Sequence, residues 1–301
     1  MSAPGPGFAA AYPLLMAELP PALQGLGAGL PFRLGVASRR EGDFGELLQL
    51  EPNLELPRFV NESPTRPDGR LVDEPTLARF LKAHYAGGLF GLLADRIADD
   101  QVVRDEALLG LRRWLLGRWV EALAQAMGNR GLARSAIAEA LRDWRWGVAA
   151  ERRWLRAGRL SPEDYRAITE RKLRWVSCSA ACLLQARGDP RARLLRRIYD
   201  RFLLGLQCLD DAVDEEEDGA RLGSSVAGAL GIASACLIRV APLLVGEAGR
   251  LALGAGWPTL GDWLSQFARV CASWVPEGNR VAHELGAWAL LAAFRGDGGI
   301  S

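Results

Sequence analysis

Two sets of carboxylates are spaced for metal chemistry. Asp95 and Asp99 stand four residues apart, one helical turn, on one face. Asp210, Asp214 and Asp218 recur at i, i+4 and i+8, and Asp211 lies beside that row. Both sets follow apolar stretches, Gly87-Gly88-Leu89-Phe90-Gly91-Leu92-Leu93-Ala94 and Leu206-Gln207-Cys208-Leu209. Like charges in such rows repel unless a cation sits among them. Hard divalent ions with oxygen ligands are the natural candidates, and magnesium typically joins carboxylates to substrate phosphates. A solvated acidic helix end is the alternative, because acids near a helix start are favoured by the dipole. Two such clusters, each behind an apolar helix, favour the metal reading.

The elements that must position these residues are helical. Leu77, Phe80, Leu81, His84 and Tyr85 trace one face of a 3.6-residue repeat, and Leu109 to Ala126 continue the pattern through Leu111, Trp114, Leu115, Trp119 and Leu123. Ser161-Pro162-Glu163-Asp164 has the form of a helix start, and Gly188-Asp189-Pro190 the form of a stop. No alternating strand pattern of useful length occurs. Eleven of the 16 prolines fall in residues 1–75, and proline breaks helix interiors. We therefore expect an irregular Pro-rich segment with short helices over 1–74. A single all-α domain of about ten or more helices should follow over 75–301.

These residues resemble the trans-isoprenyl diphosphate synthases and their class I terpene synthase relatives. The second motif carries most of the likeness: Gln207, Asp210-Asp211, Asp214, Asp218 and Leu222-Gly223 stand at the family's offsets, with Leu206 for its phenylalanine and Ser224 for its lysine. Lys172, one of two lysines in the chain, lies 35 residues before Gln207, where the family has a Lys-Thr pair; Leu173 replaces the threonine. The first motif is degraded. Asp95, Asp99 and Arg104 are kept, while Arg96 replaces an aspartate and Asp105 an arginine. The resemblance covers roughly residues 75–235.

The resemblance implies a helical bundle around a central apolar cavity. In it Mg²⁺, about three ions, would be held by Asp95, Asp99, Asp210, Asp214 and Asp218, with Asp211 as a further catalytic acid. Lys172, Arg104, Gln207 and Arg171, with Arg166 as another candidate, would bind the diphosphate of an allylic prenyl substrate. Phe90, at the family's chain-length position, would line the cavity with Gly91, Tyr85 and Trp175. The family's basic N-terminal segment for a second diphosphate is missing, since Gly25 to Arg40 hold only Arg33, Arg39 and Arg40. Binding a diphosphate needs several charge-assisted contacts. The implied reaction is therefore a one-substrate one, that of a terpene synthase. The alternatives are an elongating prenyltransferase and a non-catalytic partner subunit. Arg96 would either pair with Asp99 or Asp100 or contact the diphosphate. Relatives are usually dimers, so a homodimer is implied.

The remaining composition narrows the class. Apolar residues make up 49% and charged residues 24%, which excludes a disordered chain. Thirty-seven basic residues against 36 acidic ones give +1, so bulk charge draws the chain to neither nucleic acid nor an anionic membrane. The five cysteines have no paired metal spacing and fit a reducing compartment. The longest apolar run, Val226 to Ile238, is too short to span a bilayer, and no Lys or Arg precedes Arg33 as a secretory signal would need. A cytoplasmic location is expected. Arginines and tryptophans interleave from Arg112 to Arg159, a composition that can stack on RNA but that more simply makes amphipathic helices with Arg outside and Trp inside. His84, on an apolar face, is expected in the core, and His283 has no evident partner.

Overall fold

A computed structural model of the chain describes residues 8–27, 29–35, 51–63, 69–275 and 280–295. Fifteen α-helices lie among them, and the nearest thing to a strand is one isolated bridge between Glu62 and Arg70. The all-α expectation holds. Arg39 and Arg40 lie outside the described residues, as does the side chain of His283.

The helices gather into two compact units, Met1–Glu139 with Trp175–Ala192 and Ala140–Arg174 with Arg193–Ser301. In the first unit α1 (Phe8–Ala17), α2 (Gln24–Gly27), α3 (Leu30–Arg33) and α4 (Glu51–Val60) are short. α5 (Glu74–Ala98) and α6 (Glu106–Met127) are long. Each long helix begins on an aspartate cap: Asp73 accepts from the Thr76 amide at 2.9 Å, and Asp105 from the Leu108 amide at 2.7 Å. α6 ends at Gly128, whose φ of 64° a side chain would resist. His84 is buried and its Nε2–H donates to the Asn53 carbonyl at 2.6 Å; burial drives its pKa down to about 4, so the ring is neutral.

α7 (Arg130–Ala157) contributes residues to both units. The second unit contains α8 (Pro162–Lys172), α10 (Ala192–Val213), α11 (Glu215–Leu222) and α12 (Val226–Leu230), then α13 (Ser234–Gly254), α14 (Pro258–Ser273) and α15 (Arg280–Arg295). Its core joins Tyr165 and Ile168 of α8 to Leu204 and Cys208 of α10, Leu237 and Leu244 of α13, and Leu291 and Phe294 of α15. The Ser161 cap forms as its sequence requires, accepting from the Asp164 amide at 3.0 Å. The helix then stops earlier than the Gly188 signal: a 3₁₀ turn (Arg174–Ser177) separates α8 from α9 (Cys178–Ala186). α7 approaches closely just before this break. A Cβ on Gly147 would lie 2.9 Å from the Lys172 backbone, so only glycine admits the contact.

Candidate functional site

In the first unit, Gly87, Gly91, Asp95 and Asp99 occupy successive turns along one flank of α5. The glycines seat two indoles. A Cβ on Gly87 would come within 2.7 Å of the Trp119 ring, and one on Gly91 would run into the Trp175 ring. Phe90 is buried, with its ring centroid 6.0 Å from that of Trp119. Trp119 is anchored in turn by its indole N–H, which donates to Ser179 Oγ at 3.2 Å. Asp95 stands one turn beyond Trp175's seat and Asp99 caps the helix, its amide donating to the Asp95 carbonyl at 2.8 Å. Both carboxylates thus sit at the negative end of the helix dipole, where acids are disfavoured and cations are favoured. Arg96 donates to Gln101 Oε1 at 2.9 Å. Arg104 is exposed in the segment leading to α6.

One predicted residue of this unit, Tyr85, is engaged elsewhere, and so is Asp105. Tyr85 donates its hydroxyl to Glu55 at 2.6 Å, packs against Phe8 and lines a separate cavity with Leu15 and Leu81. Asp105 pairs with Arg33 at 2.5 Å, so the acid that replaces the family's arginine neutralises one of the few cations of the N-terminal segment.

In the second unit the predicted carboxylate row survives a helix junction. The chain bends at Asp214 between α10 and α11, yet the Asp214 amide still donates to the Asp210 carbonyl at 2.9 Å and the Asp218 amide to the Asp214 carbonyl at 2.8 Å. The i, i+4, i+8 register is therefore continuous. Asp210 is exposed, Asp214 half-buried and Asp218 buried.

Asp211 turns inward. It is buried and accepts from the Tyr165 hydroxyl at 2.6 Å and from Gln207 Nε2 at 2.8 Å; the Gln207 amide also lies 3.3 Å from Asp210. Burial pushes the Asp211 carboxyl up to about 8, helped by the charges of Glu151 and Asp210 and opposed by the two hydrogen bonds. Lys172 is buried with its Nζ on both oxygens of Glu151, at 2.9 and 3.1 Å. Arg171 lies 4.1 Å over the Trp146 ring. Arg166 donates to the Phe294 carbonyl at 3.0 Å, as Arg201 does at 2.6 Å, so these cations hold the end of α15.

Glu151 and Tyr165 do not stand out in the sequence. The available signal for Glu151 is an acid directly after the small run Gly147-Val148-Ala149-Ala150. Tyr165 gives none, because its partner is 46 residues away.

The donor set suits Mg²⁺ in one form only. Among the described residues no three His, Cys, Asp or Glu side chains converge enough to hold a metal by themselves. Magnesium does not require such a cage: it keeps several waters and takes one or two carboxylates with substrate phosphates. Asp210 and Asp214, one turn apart and accessible, fit that use, and Asp95 and Asp99 offer the same spacing. Asp211, held inward by its hydrogen bonds, does not fit as a ligand.

No protein-family model and no curated protein matches the chain. Among solved structures, the polyprenyl synthetase from Streptomyces coelicolor A3(2) matches with a TM-score of 0.51 over 94% of this chain and 95% of that one, at 17% identity. The chain therefore has the all-α fold of a polyprenyl synthetase.

Proposed function

We propose that the chain is a class I isoprenoid synthase-type enzyme, a terpene synthase that ionises an allylic prenyl diphosphate with the aid of Mg²⁺. The observation that carries this reading is the unbroken register of Asp210, Asp214 and Asp218 across the α10–α11 junction. Asp210 and Asp214 would hold Mg²⁺, as would Asp95 and Asp99; Asp218, buried, continues the row without serving as a ligand. Ions held at either pair would neutralise charge developing on the leaving diphosphate. Lys172 would donate to the diphosphate oxygens after exchanging its contact with Glu151, and Arg104 would add a second charged donor. Asp211 positions rather than ligates: it fixes Gln207 on the same helix and is fixed by Tyr165. Phe90 and Trp175 supply apolar surface for the prenyl chain, and their ring faces favour an allylic cation by about 0.5–2 kcal/mol each.

The Arg33–Asp105 pair favours a one-substrate reaction over elongation, because it removes a cation that a second diphosphate would need. Incubation with Mg²⁺, farnesyl diphosphate and labelled isopentenyl diphosphate tests this. The expected products are unlabelled hydrocarbons or alcohols. Label in longer prenyl diphosphates would instead establish elongation. Turnover only in the presence of a second polypeptide would make the chain a partner subunit.

A further inference from the structure

The arginine and tryptophan run of α7 is not used by the proposed reaction. Residues 142–159 contain six arginines and two acids. Both acids already have cationic partners: Asp143 pairs with Arg174 at 2.6 Å and Glu151 with Lys172 at 2.9 Å. The arginines themselves border a surface groove of about 520 Å³, lined by Arg145, Arg152, Arg153 and Arg156 with Trp144 and the small apolar floor of Val148 and Ala149. No acidic side chain lines it. Arg145, Arg153 and Arg156 are exposed, and Arg142 and Arg159 extend the basic stripe at either end. A chain of net charge +1 thus carries a concentrated cationic face.

We propose that this face of α7 docks the protein on an anionic phospholipid membrane. Guanidinium groups around an apolar floor, with the Trp144 indole beside them, match a surface of phosphates over hydrocarbon, and basic amphipathic helices bind such interfaces. RNA is the competing polyanion, and it needs open aromatic faces for base stacking. Here the groove has a single lining tryptophan, the half-buried Trp144, while Trp154 packs on the core and Trp146 carries Arg171 4.1 Å over its ring. Trp146, next to Arg145 in the chain, is 43% exposed and adds an indole to this part of α7.

The test is co-sedimentation of the full chain with vesicles of phosphatidylcholine alone or mixed with phosphatidylglycerol, at low and high salt. Wild type should bind the mixed vesicles, leave the neutral ones and be released by salt. The triple variant Arg145→Ala/Arg153→Ala/Arg156→Ala should lose roughly a hundredfold in partitioning, at ~5-fold per arginine. A matched variant, Arg187→Ala/Arg193→Ala/Arg197→Ala, alters three exposed arginines elsewhere and should bind within about threefold of wild type. Circular dichroism should show all three proteins equally folded. Equal binding to neutral vesicles, no binding to either, or equal loss in both variants would overturn the proposal. So would tighter binding to single-stranded RNA than to the anionic vesicles at the same salt.

Discussion

At the scale of single residues, the strongest constraint is a buried ion pair. Lys172 and Glu151 are both largely withdrawn from water, and neither is tolerable alone there. Lys172→Met should destabilise the protein by about 3–5 kcal/mol in urea denaturation, and Lys172→Met/Glu151→Leu should recover most of that loss. Equal stability of wild type and Lys172→Met would show the pair to be solvated. Asp200 gives a second residue-level prediction. Its carboxyl is pushed up to about 7 by burial and by Glu170, against three nearby arginines. A raised acid pKa holds its proton longer in the folded state. Its contribution is thus complete below about pH 4 and is lost as pH rises towards 7. Replacing it in Asp200→Asn should flatten stability across that window, where wild type loses at most about 1.4 kcal/mol per pH unit through this group.

At the scale of elements, α5 is built as a glycine flank for indoles that ends in carboxylates. Gly91→Ala should cost about 1–3 kcal/mol in thermal unfolding because its methyl enters the Trp175 ring. Gly117→Ala, on exposed α6 surface with nothing within 4 Å, should be neutral or stabilise by up to about 1 kcal/mol. Helix signals of this kind were legible in the sequence where they are local: the Ser161 cap and the Asp210 to Asp218 spacing depend on neighbours within two turns, whereas the Gly188 stop closes α9 and not the helix that Ser161 starts. What was not legible depends on distant partners. Nothing near Lys172 announces Glu151, 21 residues away, or the closeness of Gly147 that coincides with the end of α8. Trp146, expected inside like its neighbours, is exposed because Arg171 from another helix satisfies its ring.

At the scale of the whole molecule, composition gave the class and little more. A balanced charge of +1 hides a basic face on α7, because the sum averages over residues that the fold segregates. The five cysteines are all buried and form no disulfide, and no described helix is long and apolar enough to cross a membrane. The likeness of fold spans nearly the entire chain, while the proposed chemistry rests on a handful of acids. Those acids are tested by incubating the purified protein with geranyl, farnesyl or geranylgeranyl diphosphate and measuring released inorganic diphosphate. With Mg²⁺ present at least one substrate should be consumed. Chelation should abolish release, and Asp210→Ala and Asp214→Ala should each lower it by roughly a hundredfold or more. All three substrates recovered intact, or variants as fast as wild type, would contradict the assignment.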